Sequence, residues 1–170
     1  RIERFFSKLD ELLEITAKQL CDRYDFQKTA LRKQFPLLMS SLWMGCEKLG
    51  PNDMVGSVIN QGTLGIGFLG LAECLIALTG KHHGESEEAY QLGLKIIGHM
   101  RRRMDTQSEI DKLNFSLIAT PAEGLSGRFT RMDKKRFGVI PGVTDREYYT
   151  NSFHVPVYYK ISAFDKLKFE

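Results

Sequence analysis

The chain has 170 residues, of which 42% are apolar and 26% charged, a composition that suits one soluble globular domain with a hydrophobic core. Its net charge of +3 is too small to indicate nucleic-acid binding by itself, and no apolar run is long enough to span a membrane. The three cysteines are widely spaced and follow no zinc-ligand pattern, which predicts reduced thiols in a cytoplasmic protein. Cys21 and Cys74 fit small core residues, whereas Cys46 is expected in an accessible loop. Because the chain starts inside a helical pattern and lacks an initiator Met, we expect it to be a piece of a longer protein.

Apolar residues at helical spacing dominate the first part of the chain. They predict a long amphipathic helix from Ile2 to Leu20 that extends toward Lys33, where a following proline ends the pattern. The apolar residues 37–44 predict a buried strand, and residues 50–60 predict a turn followed by a short helix.

Gly65, Gly67 and Gly70 form a GxGxxG pattern. Dinucleotide binding by such glycines requires a hydrophobic strand immediately before the first of them, and residues 61–63 do not provide one. We therefore predict that these glycines allow close packing of a strand against a neighbouring element. Residues 69–79 then predict a buried helix that ends at a glycine.

The adjacent pair His82 and His83 admits two interpretations, a metal pair or a solvated loop, and we expect the loop. Ser86 is placed to cap a helix over residues 89–104, whose apolar side chains share one face. Residues 101–103 are three arginines that suit a solvated helix end, where cations interact favourably with the helix dipole.

A short apolar run at residues 115–119 predicts a strand, which Thr120 and Pro121 end. Proline suits the first turn of a helix, and Thr120 with Glu123 three positions later has the spacing of a capping box. The small residues around them leave the backbone open to close approach, so the turn suits an anion at the start of a helix. The residues alone also allow a well-capped turn without a ligand.

Five cations follow this turn within nine positions: Arg128, Arg131, Lys134, Lys135 and Arg136. The apolar residues between them predict an amphipathic helix. These cations either hold phosphates or form a solvated face, and the spacing leaves both interpretations open.

Strand-forming residues dominate residues 148–155, and Pro156 confines the predicted strand to the edge or end of a sheet. The tail at residues 161–170 fits either helix or strand. Strands that alternate with helices along the whole chain favour the α/β fold class.

Two stretches together resemble ribonucleotide reductase large subunits. Residues 62–73 (GTLGIGFLGLAE) are similar to a helix motif of these enzymes, and residues 114–124 (NFSLIATPAEG) to the segment that ends in the substrate-phosphate turn. Oxygen-dependent classes have Pro-Thr-Ala-Ser in that turn, whereas the TPAE sequence here resembles the anaerobic class. Residues 80–85 (GKHHGE), 142–145 (GVTD) and 149–154 (YTNSFH) are also similar to the anaerobic class. The resemblance covers essentially all 170 residues.

This resemblance implies an internal segment, residues 1–170, of an anaerobic ribonucleoside-triphosphate reductase, a glycyl-radical enzyme with a ten-stranded α/β barrel. Such an oxidoreductase reduces ribonucleoside triphosphates to 2′-deoxyribonucleotides for DNA synthesis, with formate or a thiol as the reductant. The family's radical-loop cysteine precedes this region, and its glycyl-radical and structural zinc sites follow it. By the resemblance, the segment supplies part of the barrel wall and the substrate-phosphate site, and is inactive alone.

The resemblance also implies site residues and partners. No cofactor or metal site is expected within the segment, and Glu123 is a candidate for proton transfer. The family uses nucleotide effectors, an S-adenosylmethionine-dependent iron–sulfur activase and a second copy of the chain in a homodimer, but neither nucleic acid nor membrane. The expected substrate-phosphate residues are Thr120, Pro121, Ala122, Glu123 and Gly124, and candidate residues lining the active site are Asn151, Ser152 and His154.

Two alternative functions remain from the sequence. A glycyl-radical lyase of the pyruvate formate-lyase type shares the superfamily, although its substrates need no triphosphate turn. A non-enzymatic nucleic-acid-binding module would use the cations of residues 128–136, and its binding would weaken steeply with salt.

Overall fold

The computed structural model describes the whole chain, Arg1–Glu170, as a mixed α/β structure. None of its helices combines the length and hydropathy that a transmembrane span requires. Two short 3₁₀ turns, Arg32–Gln34 and Cys46–Lys48, and one π-helical turn, Leu38–Leu42, lie between the first two helices. In chain order the regular elements are α1 (Ile2–Gln27), α2 (Gly56–Ile59), β1 (Thr63–Phe68), α3 (Leu71–Thr79), α4 (Glu87–Asp111), β2 (Asn114–Ala119), α5 (Glu123–Phe137) and α6 (Ala163–Phe169).

The two strands pair in parallel, and α3 and α4 form the connection between them. A parallel pair needs such a crossover because the chain must return to the same end of the sheet. At the start of the strands, the Asn114 amide donates a hydrogen bond to Thr63 Oγ1 at 2.8 Å. The predicted strand at residues 115–119 and the α/β class are therefore confirmed.

The chain forms two compact units. The first unit comprises Arg1–Phe6, Gly67–Arg101 and Leu117–Glu170, and the second comprises Ser7–Ile66 and Arg102–Ser116. In the first unit, α3 packs on α4 where Gly93 leaves room for the side chains of Leu71 and Leu75. The buried core residues of these two helices in the first unit recur at helical spacing: Leu71, Ala72, Leu75, Ala89, Leu92, Ile96 and Met100.

The second unit has its own core, and two predictions fail there. Residues 37–44 form no strand, because Trp43 N–H donates to the Leu38 carbonyl in a π-helical turn. A short apolar run does not distinguish strand from helix by its periodicity. Cys46, expected to be accessible, is only 2% exposed. It belongs to a core cluster with Met39, Val55 and Val58.

Two helix ends differ from the prediction, and one predicted helix cap is confirmed. Helix α1 ends at Gln27, short of Lys33. Helix α4 continues past the arginines at residues 101–103 to Asp111, because Met104 prolongs its buried stripe. The expected Ser86 cap is present, with Ala89 N–H donating to Ser86 Oγ at 3.4 Å.

Residues 148–155 form no strand despite their strand-forming composition. Their backbone is hydrogen-bonded to the start of α3, where Gly70 N–H donates to the Thr150 carbonyl at 2.7 Å and Leu71 N–H to the Ser152 carbonyl at 3.3 Å. Ser152 has a φ of 38°, which also breaks an extended conformation. Tertiary hydrogen bonding has overridden local strand propensity here.

His82 and His83 lie in the predicted loop, but that loop is not solvated there, since the two side chains are only 1% and 2% exposed. The His82 Nδ1 accepts a hydrogen bond from Gly84 N–H, and its ring packs edge-on against Tyr159 at 4.7 Å. Burial, with His82 beside it, lowers the pKa of His83 to about 4. No group of three or more His, Cys, Asp or Glu side chains is placed to hold a metal ion.

Gly67 lies at the point of β1 against which Thr120, the residue that follows β2, packs closely. A Cβ at this position would stand 2.7 Å from Thr120 Cγ2, and the β-branched Thr120 side chain adjusts poorly. We predict that Gly67→Ala lowers the free energy of unfolding by about 1–3 kcal/mol through overpacking. Gly93→Ala is the control, since its Cβ would make ordinary contacts with Leu75 Cδ1 at 3.4 Å and Leu71 Cδ2 at 3.7 Å. Alanine in place of glycine within a helix should raise the free energy of unfolding by about 0.5–1 kcal/mol. Urea denaturation measures both, and adding Thr120→Ser to Gly67→Ala should restore part of the loss; equal effects of the two alanine variants would contradict this account.

The buried His83 also predicts how stability depends on pH. The unfolded chain takes up this proton near pH 6.5, whereas the folded chain resists it until about pH 4. Stability should therefore fall as the pH drops from 6.5 toward 4, with a slope of no more than about 1.4 kcal/mol per pH unit for one proton. His83→Leu should reduce this slope in urea denaturation at pH 7.5, 6 and 5. A slope that is unchanged in the variant would show that His83 is not its source.

Candidate functional site

The turn between β2 and α5 has a geometry that the sequence did not reveal. Ala122 is the residue preceding α5 and adopts the left-handed conformation, with φ 47° and ψ 40°. No side chain caps the helix, whose first turn is closed by hydrogen bonds from Leu125 and Ser126 N–H to the Ala122 carbonyl. The predicted capping box between Thr120 and Glu123 is therefore wrong. Thr120 stands two residues before the cap position, and Pro121 precedes the first turn.

This uncapped start leaves backbone donors without partners. The N–H groups of Ala122, Glu123 and Gly124 donate no hydrogen bond within the chain. Around Gly124 there is open space, since a Cβ placed there would meet nothing within 4 Å. Unpaired N–H groups at the positive end of a helix dipole favour an anion.

A cavity of about 670 Å³ adjoins this turn in the first unit. Its volume lies within the range of about 300–1,000 Å³ that small-molecule sites occupy. Of the predicted phosphate residues, Thr120 and Ala122 line it, whereas Pro121, Glu123 and Gly124 do not. Most of the wall is apolar, from Phe68, Leu69, Ala77, Leu125, Phe129 and Val143.

The end of β1 and the start of α3 line one side of the cavity. Gly67 adjoins Thr120, and Gly70 adjoins Tyr149 and the Glu73 carboxylate. Gly70 has a φ of 76°, a conformation that favours glycine. The prediction that these two glycines serve close packing is confirmed, and β1 includes Gly67 rather than ending before the first glycine of the pattern.

Glu73 is a site residue that the sequence reasoning did not single out. It is 5% exposed, and its Oε1 accepts hydrogen bonds from Thr150 N–H at 3.0 Å and Thr150 Oγ1–H at 2.7 Å. Its Oε2 is buried without a hydrogen-bond partner, and the residue lines the cavity. One signal was present, because Glu73 is the single charged residue among the apolar residues 69–79.

Two other polar side chains of the wall are Tyr149 and Cys74, and both stay protonated near neutral pH. The Tyr149 hydroxyl donates to Asp133 Oδ2 at 2.9 Å, and burial together with this bond raises the pKa of Tyr149. Burial, followed by the neighbouring Glu73, raises the pKa of the Cys74 thiol to about 11, so it stays protonated near neutral pH. The residues that line the cavity include two carboxylates, Glu73 and Asp133, and no Lys or Arg.

The three candidate lining residues do not line this cavity. Asn151 is half-buried, and Ser152 is buried beside the start of α3, with its carbonyl accepting from Leu71 N–H. His154 is exposed, and its Nδ1 lies 3.1 Å from Glu170 Oε1. Their role in an active site stays a prediction.

Comparison with known proteins gives a consistent result. A family model described as anaerobic ribonucleoside-triphosphate reductase matches residues 1–170. The protein of that name from Escherichia coli (strain K12) is 36% identical over 169 residues, 98% of this chain and 24% of the relative. The protein of that name from Haemophilus influenzae is 35% identical over 171 residues, which are 99% of this chain and 24% of the relative. The one from Enterobacteria phage T4 is 29% identical over 170 residues, which are 99% of this chain and 26% of the relative. The chain thus spans about a quarter of the length of the relatives it matches.

The hydrogen bonds between Thr150 and Glu73 give a test of the cavity wall. Thr150→Val removes a buried hydroxyl from Glu73 Oε1 while keeping the side-chain shape, and we expect a loss of about 1–3 kcal/mol in the free energy of unfolding. Thr150→Ser keeps the hydroxyl and is the matched control, with a smaller loss. Chemical denaturation compares the two. If valine were tolerated as well as serine, the anchoring role of this bond would be disproved.

Proposed function

The chain belongs to the family of anaerobic ribonucleoside-triphosphate reductases, and we propose that it forms the substrate-binding part of such an enzyme. In this proposal the turn at Thr120–Gly124 receives the triphosphate of a ribonucleoside triphosphate. The single observation that carries the proposal is the set of unpaired N–H groups at residues 122–124, which open beside a cavity of ligand size.

The distribution of charge supports one orientation of the nucleotide. The N–H groups at the start of α5 attract phosphate oxygens, while Glu73 and Asp133 on the cavity wall repel them. The phosphates therefore lie at the turn, and the nucleoside extends along the apolar wall formed by Leu125 and Phe129. The helix dipole and the N–H groups bind the anion without a cationic side chain.

Glu123 has a smaller part in this proposal than the sequence suggested. Its side chain is exposed, makes no hydrogen bond and does not line the cavity. We therefore assign its backbone N–H to phosphate binding, and assign no proton transfer to its carboxylate.

The whole protein, in this proposal, reduces ribonucleoside triphosphates to 2′-deoxyribonucleotides in a ten-stranded α/β barrel, of which β1 and β2 are adjacent strands. The radical-loop cysteine, the glycyl radical and the zinc site belong to parts of the family's polypeptide outside this chain. An iron–sulfur activase and a second copy of the chain are the proposed partners. The relatives are all named as reductases, so neither the lyase nor the nucleic-acid-binding alternative is favoured.

Three of the five cations that prompted the nucleic-acid alternative have a local role. Lys134, Lys135 and Arg136 occupy the last turn of α5. Cations there stabilise the negative end of the helix dipole.

Ala122 allows binding to be separated from folding. Its left-handed conformation suits Asp and Asn better than Ala, and Asp is also a favourable cap for a helix start. We predict that Ala122→Asp keeps or raises stability but weakens binding of CTP and inorganic triphosphate about tenfold or more, because a carboxylate then stands among the phosphates. Ala122→Asn has the same shape without the charge and should change affinity by less than about threefold.

Isothermal titration of the full-length polypeptide measures these affinities, and thermal unfolding measures stability. Equal affinity of the Asp and Asn variants for inorganic triphosphate would remove the phosphate-site assignment.

A further inference from the structure

The carboxylate of Glu73 is satisfied on one side only. Its Oε1 receives both donors of Thr150, whereas its Oε2 is buried and receives none. Leaving a buried charged acceptor without a donor is costly, and such groups in folded proteins are nearly always paired. Glu73 holds Thr150 in place through Oε1 alone. This role does not explain why a second acceptor oxygen, Oε2, is buried beside the cavity.

No side chain of this chain donates a hydrogen bond to Oε2, and Arg146, whose Nε is also buried without a partner, does not line the cavity. The Tyr149 hydroxyl already donates to Asp133, and the Thr150 hydroxyl to Oε1. The Cys74 thiol lines the same cavity but is a weak donor. The remaining wall near Glu73, including Ala77 and Val143, is apolar. Since Glu73 lines the cavity, a molecule bound there can supply a strong donor to Oε2.

The position of Oε2 relative to the turn indicates which part of that molecule carries the donor. Gly67 adjoins Thr120 at the phosphate end, and Gly70 lies next to Oε2, with 3.8 Å between that oxygen and the position of a Cβ. Three residues of chain reach at most about 10 Å, so the two ends of the cavity wall are within the span of one nucleotide. A ligand held by its phosphates at the turn can therefore place its sugar hydroxyls, which are neutral donors, within reach of Glu73.

We propose that Glu73 Oε2 accepts a hydrogen bond from a ribose hydroxyl of the bound nucleotide, and that Glu73 thereby selects ribonucleotides over nucleotides without sugar hydroxyls. This inference rests on the proposed function, because it takes the phosphate turn as the other end of the ligand. Glu73 is a binding and specificity residue here, held in position by Thr150. A site built to pair with a hydroxyl rejects the analogue that lacks it, since the buried acceptor is then left unpaired.

The test uses the full-length polypeptide and three probes: CTP, 2′,3′-dideoxy-CTP and inorganic triphosphate. The wild-type protein should bind CTP about 10- to 100-fold more tightly than dideoxy-CTP, the range expected for a hydrogen bond to a charged acceptor. This comparison needs no variant, so it holds even if changes at Glu73 impair folding. Equal affinity for the two nucleotides overturns the proposal.

The Glu73→Gln variant tests whether Glu73 is the source of the preference for CTP over dideoxy-CTP. The amide oxygen can still accept from Thr150, while an NH₂ group replaces Oε2 and turns an acceptor into a donor. Affinity for CTP should fall about 10- to 100-fold, with dideoxy-CTP and inorganic triphosphate within about threefold of wild type. Glu88→Gln, an exposed residue on α4, changes the net charge equally and should leave all three affinities unchanged. A preference for CTP that survives in Glu73→Gln overturns the proposal.

The inorganic triphosphate arm separates the two proposals. If Ala122→Asp weakens triphosphate binding as predicted but CTP and dideoxy-CTP bind equally well, only the role of Glu73 is overturned. If the wild-type protein does not bind inorganic triphosphate, the assignment of the turn as a phosphate site is overturned. This inference about Glu73, which rests on that assignment, is then overturned as well.

Discussion

The two hydrogen bonds that Glu73 Oε1 accepts from Thr150 hold together the part of the molecule on which the candidate site depends. They fix residues 149–152 against the start of α3, where the Gly70 and Leu71 N–H groups also find their acceptors. That segment carries Tyr149, which closes the cavity wall through its bond to Asp133 on α5. A buried carboxylate is thus paired with backbone and hydroxyl donors, which offsets part of its desolvation cost.

A second constraint acts at the opposite side of the cavity. Gly67 has no side chain, so Thr120 can lie against β1 and the turn after β2 comes close to the start of α3. Ala122 in the left-handed conformation then starts α5 without a side-chain cap. The uncapped N–H groups at residues 123 and 124 are exposed, so they are accessible to an incoming ligand. The same backbone that is unfavourable for a helix start is favourable for an anion.

Local patterns predicted much of the fold because they report on local forces. The periodic stripe of α4, the Ser86 cap and the short apolar run of β2 depend on neighbours within a few residues, and the structure has all three. Predictions failed where a distant partner decided the outcome. Residues 148–155 contain strand formers, but their backbone pairs with the start of a helix, and His82 and His83 look polar yet are buried.

The sequence by itself determined the family, since several motifs stand in one order along the chain, and it singled out the turn at residues 120–124 as the proposed phosphate site. Only the tertiary structure decided which atoms are available there. In place of the expected capping box there are free N–H groups at residues 122–124, and one oxygen of Glu73 is unpaired beside the cavity. The reason is physical: a residue's type is a local property, whereas the pairing of each donor and acceptor depends on contacts between segments more than seventy residues apart.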